Sequence, residues 1–171
     1  MKREQILELL DSSKGRHEAA FPEGNSDDFL YFAHLSAIRQ LTENLYHRLL
    51  KPFRISDSEY RVLSALRLRG EGFRATPLDL NRAAQITSAG MTRTLDRLEN
   101  AGFVDRTPNP DDRRSVLVGL TARGWKFAGQ LVRDLGVGYA EILGDASAKT
   151  LNAETRALRA VVERLVDAVA R

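Results

Sequence analysis

Residues 76–124 read TPLDLNRAAQITSAGMTRTLDRLENAGFVDRTPNPDDRRSVLVGLTARG, and the fold is decided there. Thr76 is a good N-cap, Pro77 suits the first helical position, and Asp79 favours the positive end of a helix dipole. A short helix therefore starts at Thr76 and ends near Gln85. After a few residues a second helix runs from Thr87 to Asn100, with Met91, Leu95 and Leu98 on its inner face. Ala101-Gly102 terminates it. Two short helices joined by so tight a turn form a helix-turn-helix pattern. The period then changes. Residues 103–107 and 115–120 are rich in β-branched side chains and strand-like. PNPDDRR lies between them, so the segment reads as a β-hairpin with a basic tip, a wing.

Working outward, Ser56 and Glu59 form a capping box that opens a helix with Val62, Leu63, Ala65 and Leu66 on its buried face. Gly70 and Gly72 end it. Before it, a long helix is predicted from about Asp28 to Lys51, with one apolar stripe through Tyr31, Leu35, Ile38, Leu41, Leu45 and Leu49. Pro52 stops it. Residues 2–11 predict a short amphipathic helix, and the Gly-, Pro- and Ser-rich stretch after it reads as a linker. After the wing, Thr121 caps a long helix over about 122–143, which Gly136 and Gly138 are expected to weaken or bend. A last helix is expected from about Asn152 to Ala170, with Leu158, Val161, Val162, Leu165 and Val166 inward. The fold class is mainly α with a small β-hairpin wing. Four parts are expected: an extension (1–27), a first dimerisation helix and connection (28–55), a winged helix-turn-helix (56–121) and C-terminal dimerisation helices (122–171).

Bulk properties narrow the field. The chain has 171 residues, 43% of them hydrophobic, which suffices for a core. Its 26 basic and 23 acidic residues leave a net charge of only +3, so charge placement matters more than the sum. There is no cysteine, which removes disulfides, thiolate zinc sites and thiol sensors. The three histidines, His17, His34 and His47, lack metal-ligand spacing, so neither metal nor cofactor is expected. No long apolar run or signal peptide is legible, which implies a cytoplasmic protein that touches no membrane. Walker, dinucleotide-binding, zinc-protease and nucleophile-elbow motifs are absent, and the chain is read as a non-enzyme.

Helix, helix, two short helices, hairpin, long helix, helix is also a familiar order. The pieces TRTLDRLENAGFV, DDRRS and VLVGLTARG resemble, in sequence and in succession, the core of MarR-family regulators over about residues 56–125. The resemblance implies a homodimeric, ligand-responsive transcriptional regulator, most commonly a repressor, that binds palindromic double-stranded DNA. It also implies that the long terminal helices of two copies interleave through Leu35, Ile38, Leu45, Leu158, Val161, Leu165 and Val166.

The candidate DNA-binding residues are Ser88, Ala89, Thr92, Arg93 and Arg97 on the helix from Thr87, and Arg106, Asp112, Arg113 and Arg114 on the wing. The first turns of such a helix can meet base edges in a major groove, where arginine reads guanine or holds a phosphate. Arginines on a narrow finger can enter a minor groove. In the family an Asp and an Arg at the wing tip matter for this contact. Asp112 is expected to orient one arginine by a salt bridge while the other inserts.

The resemblance further implies a small-molecule effector, unidentified here, bound between the dimer helices and the DNA-binding lobe. His34, Arg39, His47, Tyr60 and Arg61 are the candidates for it. Phrases such as FRATPLDL resemble a branch that includes urate-responsive members. That branch carries a tryptophan in its N-terminal helix and an acidic residue near position 61. Here the only tryptophan is Trp125 and position 61 is arginine, which points away from urate and toward an aromatic or anionic compound. The competing class is a winged-helix module that binds protein without DNA. Three arginines on the wing argue against it.

Overall fold

In a computed structural model that describes residues 3–112 and 114–170, the chain divides into two compact units, residues 1–128 and 129–171. Its helices are α1 (Arg3–Ala20), α2 (Ser26–Leu50), α3 (Asp57–Arg67), α4 (Pro77–Ala84), α5 (Ser88–Asn100), α6 (Ala122–Leu143) and α7 (Ala148–Val169). Its strands are β1 (Arg74–Ala75), β2 (Val104–Pro108) and β3 (Val116–Leu120), in the antiparallel order β1-β3-β2. No helix among the described residues is long and apolar enough to cross a membrane.

The expected caps form. Ser56 accepts from the Glu59 amide at 3.3 Å, while Glu59 Oε2 accepts from the Ser56 amide at 2.6 Å, closing the capping box. Thr76 and Thr87 cap α4 and α5 through the amides of Asp79 and Gly90. Gln85 takes a left-handed conformation, φ 53°, and turns the chain from α4 toward α5. The apolar faces of α3, α4 and α5 meet in one core: Val62, Leu63, Leu66, Leu80, Met91, Leu95 and Leu98 are all essentially inaccessible. Each such side chain contributes roughly 1.5–3 kcal/mol. The sheet covers the same core with Ala75, Val104 and Val118.

The LTARG segment has a structural job. Thr121 Oγ donates to the Gly102 carbonyl at 2.8 Å and accepts from the Gly124 amide at 2.9 Å. Gly124 lies so close to Phe103 that a Cβ there would sit 1.8 Å from its carbonyl oxygen. The start of α6 is thereby clasped to the base of the wing. Phe127 of α6 stacks on Phe103 with ring centres 4.3 Å apart.

The N-terminal segment departs from expectation. α1 does not stop at Asp11 but continues through Ser12, Ser13 and Gly15 to Ala20, leaving only Phe21–Asn25 as a turn. Composition misleads here because the hydroxyls bond within the helix, as Ser13 Oγ does to the Leu10 carbonyl at 2.6 Å. α2 then supplies a partner. His17 stacks on Phe29 at 4.3 Å and its Nδ1 lies 3.0 Å from Ser26 Oγ. Lys14 Nζ is 2.6 Å from Asp27 Oδ1, and that hydrogen bond and charge hold the lysine above its ordinary pKa.

The last helix also differs. Ser147 caps α7 through the Thr150 amide, one turn earlier than expected. None of its residues is buried: Leu158, Val162 and Val166 are 50–59% exposed, and Val161 and Leu165 are half-buried. α6 runs unbroken through Gly136 and Gly138. The two-residue strand β1 is too short to leave a periodic signal and is absent from the sequence reading.

Gly124→Ala is expected to cost about 1–3 kcal/mol through overpacking against the Phe103 carbonyl. Urea unfolding measures it, and a parental midpoint would show that α6 has room to move away.

Candidate nucleic-acid interface

With Met91, Leu95 and Leu98 turned inward, helical geometry projects Ser88, Ala89, Thr92, Arg93 and Arg97 outward, and all five are exposed. Ser88 Oγ accepts from Asn81 Nδ2 at 3.1 Å, a bond that joins α4 to the first turn of α5. Thr92 Oγ donates to the Ser88 carbonyl at 3.3 Å and keeps its lone pairs outward. Neither Arg93 nor Arg97 has an ion-pair partner among the described residues. A Cβ on Gly90, in the first turn of α5, would lie 3.0 Å from Ile86 Cγ2, so a larger residue there would press on the turn.

Arg97 is flanked in sequence by the carboxylates of Asp96 and Glu99, but the fold gives both of them another partner. Arg106 on β2 reaches both carboxylates, Nη2 to Asp96 at 2.7 Å and Nη1 to Glu99 at 2.9 Å. Arg106 thus sits midway along β2, half-buried, and ties it to α5. It is not part of the basic tip. The register explains why. Arg106 pairs with Val118, whose side chain enters the core, so both face the helices. Its charge is answered from within the lobe, and Arg97 is left without a carboxylate partner among the described residues.

At the tip, Asp112 Oδ1 accepts from the Arg114 backbone amide at 3.0 Å, and the Asp112 carbonyl accepts from the Ser115 amide at 2.9 Å. Toward Arg114, Asp112 thus makes an aspartate-built turn through the backbone amide, which follows from the two-residue spacing. Asn109 repeats the device on the Asp111 amide at 3.1 Å. Arg114 is exposed at the end of this ordered turn. Arg113 lies outside the described residues.

The five effector candidates do not come together. His34 Nδ1 bonds to the Leu30 carbonyl of its own helix at 2.8 Å, Arg39 pairs with Glu43 at 2.7 Å on an exposed face, and His47 is exposed. Tyr60 and Arg61 do share a cleft of about 360 Å³ with Tyr46 of α2, Asp57 and Ser64 of α3, and Gln85. Arg61 Nε donates to Asp57 Oδ2 at 2.7 Å there. Sequence reading missed Tyr46, Asp57, Ser64 and Gln85. Helical spacing alone placed Asp57 and Ser64 with Tyr60 and Arg61, but nothing local places Tyr46 or Gln85 with them. No cluster of metal-ligating side chains occurs among the described residues.

Comparison with known proteins agrees with this geometry. A MarR family model matches residues 55–116. The chain is 29% identical over 144 residues to the HTH-type transcriptional regulator PecS of Dickeya dadantii, covering 84% of each. It is 30% identical to the reduced form of MarR from E. coli, with a TM-score of 0.62, covering 74% of this chain and 92% of that one. A cysteine-to-serine mutant of E. coli MarR solved with operator DNA aligns with a TM-score of 0.67 at 26% identity, covering 85% of this chain and 96% of that one. With its capped helix pair, the arginine-bearing outer face of α5 and the aspartate-turned wing, the chain belongs to the MarR family of winged helix-turn-helix transcriptional regulators.

Proposed function

We propose that this chain represses transcription as a homodimer that reads a palindromic operator and releases it when a small anionic effector binds. The observation that carries the DNA reading is the outer face of α5, where Arg93 and Arg97 are exposed and without carboxylate partners beside Ser88, Ala89 and Thr92. In this reading α5 lies in the major groove and Arg114, with Arg113, follows the wing toward the minor groove. Arg106 and Asp112 act as positioning residues and touch no base. The alignment to a MarR–operator complex supports the same placement. Action on a chromosome puts the protein in the bacterial cytoplasm. No catalytic step is needed.

The dimer reading rests on unburied apolar surface. α7 presents Leu158, Val162 and Val166, and α2 presents Phe29, Phe32, Ile38 and Leu41, all more than 40% exposed. Monomers rarely leave so much aliphatic and aromatic surface in water. A second copy covers both faces, and two recognition helices then read half-sites about one helical turn apart.

The effector reading rests on the cleft of Tyr46, Tyr60 and Arg61. An aromatic acid would pack against the tyrosine rings, whose centres lie 5.8 Å apart, and take Arg61 from Asp57. Gln85 borders the cleft and is also the left-handed turn residue between α4 and α5. A ligand that moves Gln85 re-aims α5, which gives release a physical route.

Gel shifts against the gene's own promoter should show affinity falling roughly a thousandfold between 50 and 200 mM salt. Arg93→Ala should cost about 1–3 kcal/mol and relax one operator position; binding at parental strength would remove α5 from the groove. The Leu158→Lys, Val162→Lys double variant should sediment at half the parental mass, and an unchanged mass would reject α7 as the dimer face. With benzoate-class acids in calorimetry, Asp57→Asn should tighten binding by up to about fivefold, the worth of a half-exposed ion pair, and Arg61→Ala should weaken it. Affinity unchanged in both variants would dismiss the cleft.

A further inference from the structure

The wing is held from its second face by a side chain the helix-turn-helix pattern does not announce. In the sheet, Arg74 of β1 stands opposite Gly119 of β3, and Gly119 stands opposite Asp105 of β2. These three residues form one row across all three strands, on the face away from Val118 and the core. Neighbouring strands are about 4.8 Å apart, so a side chain on β1 reaches β2 only by lying flat over the central strand. Arg74 does so. Its Nη2 is 2.8 Å from Asp105 Oδ1 and 2.9 Å from Oδ2, and Nη1 donates to Thr107 Oγ at 3.3 Å. Asp105 and Thr107 are two apart on β2 and therefore point to the same side.

Gly119 is what makes the crossing possible. A Cβ there would lie 2.9 Å from Arg74 Cγ and 3.1 Å from its Cζ, so any other residue fills the channel in which the arginine rests. A two-stranded hairpin is marginal in water without further support, and β1 adds only two residues of ladder. Arg106 secures β2 to α5 on the inner face, and Arg74 secures β2 to β1 on the outer face.

We propose that Arg74, seated over Gly119, is a positioning residue for DNA binding: it fixes the wing so that its tip meets the groove at a set angle. The proposal rests on the reading that the wing touches DNA. It assigns Arg74 no contact of its own with a base or phosphate.

The test is a mutant cycle on operator affinity together with amide hydrogen exchange of the free full-length protein. Arg74→Ala should weaken operator binding roughly 5- to 30-fold, the range of one to two kcal/mol. That loss should vanish in an Arg114→Ala background, because the wing contact is already gone, and should multiply in full with the loss from Arg93→Ala on α5. In the free protein, amides of residues 104–108 and 116–120 should exchange faster than in the parent, while those of α3 and α5 stay protected. Gly119→Ala gives the proposal a sign. Alanine ordinarily stabilises a strand relative to glycine, so a strand effect alone would slow exchange and preserve binding, whereas displacement of Arg74 speeds exchange and weakens binding. Parental exchange in the wing of Arg74→Ala, full multiplication with the Arg114→Ala loss, or parental binding by Gly119→Ala would each overturn the proposal and leave the groove reading standing. If Arg114→Ala itself binds as the parent does, the wing contact with DNA falls, and the role of Arg74 in DNA binding falls with it.

Discussion

Burial of the inner face of α5 is the constraint on which the DNA-facing surface depends. Met91, Leu95 and Leu98 are withdrawn from water together with Leu63, Leu66 and Leu80. Each contributes about 1.5–3 kcal/mol, against roughly 0.2–1 kcal/mol for a partly exposed ion pair. The apolar core therefore decides the rotation of α5, and the ion pairs only trim what surrounds it. Because successive residues on a helix are about 100° apart, a shift of one position would bury Thr92 and turn Leu98 outward. No charge pairing at this lobe is strong enough to impose that.

Charge is allocated within that frame. Net charge is small, yet the carboxylates are not scattered at random among the arginines. Asp96 and Glu99 neutralise Arg106, Asp105 neutralises Arg74, and Asp57 neutralises Arg61. Arg93, Arg97 and Arg114 have no such partner among the described residues and stand on exposed positions. A winged helix that held only a protein partner has no need to answer its scaffold arginines and leave those on the outer helix face and wing tip unanswered. Desolvation favours the same division, since an unpaired charge is tolerated in water and penalised beside a core.

Much of the lobe is legible in the sequence because its determinants are local. The caps at Ser56, Thr76 and Thr87 act within one turn. The 3.6-residue period marks the buried faces, and PNPDD dictates its own turn. The termini were less legible. Ser12, Ser13, Gly15 and Pro22 resemble a linker in composition, and only the stacking of His17 on Phe29 reveals why a helix persists beside α2. β1 is two residues long and owes its existence to pairing with β3 some 43 residues later, which no window can detect.

The sequence by itself determined that α5 is a helix with arginines on its outer face, that a turn-tipped hairpin follows, and that the assembly resembles a MarR-type regulator. Hydrophobic period, capping and turn chemistry are all encoded within a few residues of where they act. Only the tertiary structure decided which arginines those are. Arg106 and Arg97 look equivalent in sequence, and strand register turned the first onto Asp96 and Glu99 and freed the second. The glycine at 119 looks like a defect in a strand until Arg74 is seen to cross it. Register and side-chain direction depend on which strands meet, and that is fixed by contacts far apart in the chain.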